Sequence, residues 1–229
     1  MARPTKAILC APTTFERLSA FHADAHCELD HRNTFELLVA TVLSAQTTDV
    51  LVNKVTPDLF ARYPDAPSLA RATRTEVERI LSRIGMFRQK TKNIIGLATK
   101  IAKEHGGRVP STLAELVELP GVGRKTANVV LGVAFGAPEG VVVDTHVQRI
   151  AQRLGWSRNT EPEKIEADLM RLFPREIWDR LGHVLVFHGR RVCFARKPAC
   201  AACVVNGACP SAFHAEKIGR KPPRTRSKR

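Results

Sequence analysis

The run Leu119-Pro120-Gly121-Val122-Gly123-Arg124-Lys125 constrains this chain more than any other feature, because it dictates a tight turn between two helices. Upstream, Thr112 and Glu115 have capping-box spacing, and Leu113, Leu116 and Val117 supply the apolar face of a short helix over 112–118. Pro120 ends it. Gly121 and Gly123 then admit backbone at positive φ and carry nothing that projects, so their amides can approach a phosphate. Residues 126–135 read as a buried helix whose N-terminal dipole points to the same place. The pattern is a helix, a glycine hairpin and a helix. A purely structural turn is the alternative that so short a run leaves open.

Helical patterns fill most of the remaining chain. Asn33 with Glu36 starts a helix through Leu43, Thr73 with Glu76 starts another ending near Gly85, and residues 90–104 and 162–173 keep the 3.6-residue period. Glycine and proline punctuate between them, at Pro64, Pro67, Gly106, Pro110, Pro138, Gly155 and Pro174 among others. Only 140–143 looks strand-like, and it is too short to found a sheet. The expected fold class is all-α, without internal repeats. A chain of 229 residues can bury a real core in one or two domains.

Four cysteines follow the pattern Cys193-x6-Cys200-x2-Cys203-x5-Cys209, all within 17 residues. Thiolates in fours hold either zinc or an iron-sulfur cluster. Zinc sites usually take two short Cys pairs, whereas here one close pair is flanked by wider gaps, which suits a 4Fe-4S cubane whose irons sit apart. Disulfides are not expected, since no apolar export segment precedes the chain and thiols in the cytoplasm stay reduced. Cys10 and Cys27 fall outside this spacing and read as buried or free thiols without a role. No apolar stretch is long enough to span a bilayer, so no membrane partner is expected.

Lys and Arg exceed Asp and Glu by 36 to 22, a formal charge of +14, which favours a polyanionic partner such as nucleic acid. The distribution is uneven. Residues 217–229 hold seven cations and no acid, so half of the net charge lies in a Pro-containing tail expected to be disordered, which would add salt-sensitive affinity for DNA or serve only solubility.

Together, Leu119 to Lys125, Val143-Asp144-Thr145-His146, the four-cysteine loop and Leu43-Ser44-Ala45-Gln46-Thr47-Thr48-Asp49 resemble the endonuclease III family of DNA base-excision glycosylases, over roughly residues 28 to 210. The resemblance implies a six-helix barrel domain with the hairpin (28–137), a second helical domain holding the 4Fe-4S cluster (1–27 and 138–212), a basic tail (213–229) and DNA in the cleft between the domains. It implies a monomer that acts in the cytoplasm, at the nucleoid, on double-stranded DNA containing damaged bases or abasic sites. The expected activity removes oxidised pyrimidines and then cuts the strand at the abasic site by β-elimination.

That chemistry needs an amine to attack the anomeric carbon of the sugar, and Lys125 is the expected nucleophile. Lysine amines are protonated at neutral pH unless burial or nearby cations, here Arg124, favour the free base. Asp144 is expected to stabilise an oxocarbenium-like centre or to accept a proton, and it also stands where an N-cap for a helix over 147–154 belongs. By resemblance, Gln46 enters the duplex to fill the gap left by an extruded base. Met86 stands where the family commonly places a leucine wedge, with a core position as its alternative. Phosphate contacts are expected from the amides of Gly121, Val122, Gly123 and Lys125, and from Arg124, Arg196 and Lys197, the last two read alternatively as solvated surface. His146 is expected to be structural. Two rival activities share these motifs: a pyrimidine-dimer glycosylase with lyase activity, and a non-enzymatic iron-sulfur DNA-binding protein. An adenine-specific glycosylase is disfavoured by Lys125 and by the lack of room for a further domain.

Overall fold

The computed structural model describes residues 6–219, so most of the basic tail, 220–229, lies outside the described residues. Helices make up its regular secondary structure, and no strand occurs among the described residues. The segment 140–143, expected to be strand-like, is irregular: no neighbouring strand receives its backbone groups, and it serves to bury Val141. No described helix is long and apolar enough to cross a membrane.

The chain divides into two compact units, Cys27–Glu139 and the discontinuous pair Met1–His26 with Gly140–Arg229. The discontinuous unit opens with α1 (Lys6–Leu9) and α2 (Ala11–Phe21). The continuous unit then carries α3 (Thr34–Leu43), α4 (Asp49–Arg62), α5 (Ala66–Ala70), α6 (Arg74–Leu81), α7 (Phe87–Glu104), α8 (Leu113–Val117) and α9 (Arg124–Phe135). The chain returns to the first unit with α10 (Thr145–Arg153), α11 (Pro162–Leu172) and α12 (Trp178–Arg191).

The continuous unit is organised on α3. Asn33 caps that helix by accepting from Glu36 N at 3.0 Å, and every residue from Phe35 to Leu43 is buried, as a helix apolar on all sides requires. It packs against α4, α7 and α9. Leu37, Leu59, Leu97, Ile101 and Leu131 are fully buried there, each contributing about 1.5–3 kcal/mol. In the discontinuous unit, Phe173 lies edge-on to Phe15 and Trp156, at 5.7 and 4.9 Å between ring centroids. Arg180 of α12 donates to the carbonyls of His22 (2.9 Å) and Ala23 (3.2 Å), which fastens the end of α2. The described residues continue to Gly219, past the expected start of the tail at 213. Ala215–Lys217 forms a 3-10 turn, and Gly219, at φ +70, sits so close to Arg149 that an added Cβ would lie 2.9 Å from its carbonyl oxygen.

Candidate active site

The hairpin stands on apolar anchors at both ends. Leu119 and Val122 are buried, and Val122 N–H closes the turn on Leu119 O at 3.0 Å. Val122 therefore spends its amide inside the turn, contrary to the expectation that it faces a phosphate. The two glycines differ as well. Gly121 has φ +81, and a Cβ there would lie 2.7 Å from Asn93 Nδ2, so both backbone and space demand glycine. Gly123 is extended (φ −98, ψ 174) rather than left-handed, and a Cβ there would meet nothing within 4 Å. It is the N-cap of α9, makes no side-chain cap, and no acid follows in the first turn. The N-terminus of α9, with the positive end of its dipole, thus lies beside the open space at Gly123. Arg124 and Lys125, exposed on that turn, stand beside the opening, with Arg124 Nη2 reaching Glu139 O at 3.4 Å.

Gln46 and Met86 share an unusual backbone. Each has φ +55, and they are two of only four non-glycine residues at positive φ among the described residues. Such a conformation costs an L-residue about 1–2 kcal/mol unless its surroundings hold it. Both side chains are exposed, Met86 by 52%, which removes the alternative of a core position.

Asp144 is the N-cap of α10. Its Oδ1 accepts from His146 N and Val147 N, each at 2.8 Å, so both bonds fall on one carboxylate oxygen. His146 turns its ring to Arg149, whose Nη2 donates to His146 Nδ1 at 3.2 Å, and burial lowers the imidazole pKa.

Cys193, Cys200, Cys203 and Cys209 all line one cavity of the discontinuous unit, walled further by Arg153, His188, Val192 and Pro198. No group of three His, Cys, Asp or Glu side chains among the described residues closes on a point that a single metal ion could fill. Four thiols on one chamber are a donor set that a multi-iron cluster could use. Burial pushes the Cys209 thiol up to about 11 and raises that of Cys203, so a bound metal would have to displace their protons. Arg196 and Lys197 project from the same loop, exposed, with Lys197 at φ +49.

A family model for HhH-GPD superfamily base excision DNA repair proteins matches residues 39–175. Endonuclease III of Synechocystis sp. is 52% identical over 195 residues, 85% of this chain and 89% of that protein. Endonuclease III of Escherichia coli is 42% identical over 185 residues, 80% of this chain and 86% of that protein. The chain belongs to the endonuclease III family. A solved structure of a trapped endonuclease III–DNA covalent intermediate, the estranged-adenine complex, is 42% identical and matches with a TM-score of 0.85, covering 92% of this chain and 98% of that one. A thermostable thymine-DNA glycosylase, 23% identical with a TM-score of 0.77, shares the fold over 90% of this chain and 96% of its own.

Sequence reasoning missed three groups of this endonuclease III relative: Arg149, Arg153 and His188, which support the cysteine loop from beneath. Arg153, 1% exposed, donates to Phe194 O (2.7 Å), Ala195 O (3.0 Å), Ile218 O (3.0 Å) and Cys193 Sγ (3.3 Å). Arg149 donates to Cys193 O at 3.1 Å and Gly189 O at 2.9 Å. An added Cβ at Gly189 would lie 2.9 Å from Arg149 Nη2, so the glycine makes that approach possible. His188 Nε2 lies 3.7 Å from Cys203 Sγ, and burial holds its pKa down to about 4, so the ring is neutral at pH 7. The available signal was the i, i+4 spacing of two arginines among Val147, Ile150, Ala151 and Leu154, on a face that buries apolar side chains.

Proposed function

We propose that this chain excises oxidised pyrimidines from double-stranded DNA and then cleaves the strand at the abasic site through a Schiff base on Lys125. The carrying observation is the exposed amine on the uncapped first turn of α9, beside the open space at Gly123. Membership of the endonuclease III family, and similarity to an endonuclease III trapped covalently on DNA, support the reading.

The amine of Lys125, as the free base, bonds to the anomeric carbon while the N-glycosidic bond breaks and the base leaves with the electron pair. The nitrogen gives up a proton, the sugar ring opens, and a protonated imine forms. That iminium acidifies the C2′ proton; its removal expels the 3′ phosphate oxygen by β-elimination, and water then releases the lysine. Asp144 contributes the carboxylate that stabilises positive charge at the anomeric carbon or accepts the nucleophile's proton. Gly121, Gly123, Arg124, Arg196 and Lys197 grip phosphates, and Gln46 and Met86 enter the duplex where the damaged base has left the stack.

Cys193, Cys200, Cys203 and Cys209 are the residues that would hold a 4Fe-4S cluster. When bound, the cluster supplies a rigid cross-link for the loop that presents Arg196 and Lys197, since neither excision nor elimination consumes electrons.

Borohydride trapping tests the assignment. The wild-type chain should form a covalent adduct with duplexes containing thymine glycol, dihydrouracil or 5-hydroxycytosine, and Lys125→Ala should form none. An adduct that survives in Lys125→Ala overturns the nucleophile. Trapping confined to cyclobutane-dimer duplexes overturns the lesion class, and no trapping on any substrate makes the chain a binder.

A further inference from the structure

We propose that Lys90 is a positioning residue, whose buried side chain ties the Gln46 loop to the Met86 turn and presets the two groups that fill the gap left by an extruded base. The inference rests on the reading above, in which Gln46 and Met86 enter the duplex.

Lys90 lies one turn into α7 and is bonded at both ends. Its own N–H donates to Met86 O at 3.0 Å, and its Nζ donates to Thr47 Oγ1 at 2.6 Å. Thr47 N–H in turn donates to Ser44 O at 3.0 Å, which closes the turn containing Gln46. Lys90 therefore bonds the residue after Gln46 through its side chain and Met86 through its backbone amide, the i→i−4 bond that opens α7. The two residues so bracketed are the ones held at φ +55. Isolated left-handed residues persist only where their surroundings over-determine them, and such sites gather where geometry serves function.

Stability alone gives no reason for this lysine. It is 3% exposed, burial lowers its pKa from the ordinary value, and its partner is a neutral hydroxyl rather than a carboxylate. An apolar side chain of the same length would occupy the site without that desolvation. What the ammonium adds is a directed bond across 43 residues of sequence, onto the loop that carries Gln46. A short charge-assisted bond of this kind fixes a loop where packing alone would leave it free to shift.

The test compares Lys90→Met, Thr47→Val and the double variant with Gln46→Ala and Met86→Ala. Three quantities are read: single-turnover excision of thymine glycol from a duplex, fluorescence of 2-aminopurine placed opposite the lesion, and borohydride trapping on a single-stranded abasic oligonucleotide, which needs no gap filled. Lys90→Met and Thr47→Val should each slow duplex excision at least about tenfold and dim the fluorescence change. The double variant should be no worse than the worse single one, trapping on the single strand should stay within about twofold, and Lys90→Met should melt no lower than wild type. Wild-type excision by Lys90→Met, while Gln46→Ala and Met86→Ala are slow, overturns the inference and leaves the duplex-entry reading standing. Equal losses on both substrates also overturn it, as general damage. Wild-type excision by Gln46→Ala and Met86→Ala together removes the reading and the inference with it.

Discussion

The continuous unit and the cysteine-bearing unit both bury helices, but with different materials. Inside the first, leucine, isoleucine and valine dominate around α3. Inside the second, Arg149 and Arg153 lie buried with His22 and His188, whose rings meet at 3.1 Å. An aliphatic interior closes on any backbone that excludes water, whereas a buried guanidinium requires carbonyls at particular points. The difference teaches where each unit keeps its precision. The hairpin rests on apolar packing, while the cysteine loop turns its backbone carbonyls inward to the arginines.

Substitutions at four positions can break or sharpen that contrast. Arg153→Ala should have the largest effect, costing about 3–5 kcal/mol because it strands several inward carbonyls. Denaturant melts would measure the loss, with the visible absorbance of the proposed cluster falling in parallel; a cost below that of an ordinary surface change would erase the distinction between the units. Gly121→Ala comes next, at about 1–3 kcal/mol, because its φ and the Asn93 side chain both resist a Cβ. Thermal denaturation should show this loss without loss of the absorbance of the proposed cluster. Asp144→Ala should then cost about 1 kcal/mol through the lost cap, whereas Asp144→Asn should keep the cap and slow excision at least about a hundredfold. Equal melting of the two variants would deny the capping role. The smallest effect on stability belongs to Gly123→Ala, within about 0.5 kcal/mol. Its DNA affinity, read by fluorescence anisotropy at fixed salt, should nevertheless fall, since a methyl group would occupy the open space beside the first turn of α9.

Much of this arrangement was legible because helix starts advertise themselves. Asn33, Thr112 and Asp144 each accept a backbone N–H as their position suggested. The hairpin was legible in outline, yet α9 begins at Arg124, two residues before the expected 126, because Gly123 takes the cap position. Helix α4 escaped notice: Pro57 in its interior reads as a breaker, but the surrounding packing overrides it. The positive φ at Gln46 and Met86 was invisible, since neither residue type favours that conformation and the constraint comes from Lys90, 44 residues beyond Gln46 in one case and one turn beyond Met86 in the other. Buried arginines were invisible for another reason. In so basic a chain, cations read as surface, and only carbonyls brought in from 189–195 and 218 make their burial tolerable.

The split of the cysteine unit across the chain sets an order on its biosynthesis. Helix α2 leaves the ribosome early, but α12, against which it packs, emerges only after the entire intervening unit has been made. Arg153 waits longer still, because Ile218, one of its acceptors, lies at the far end of the described chain. Emergence of the segment that carries Ile218, rather than the appearance of any single helix, therefore decides when this half of the molecule can shut.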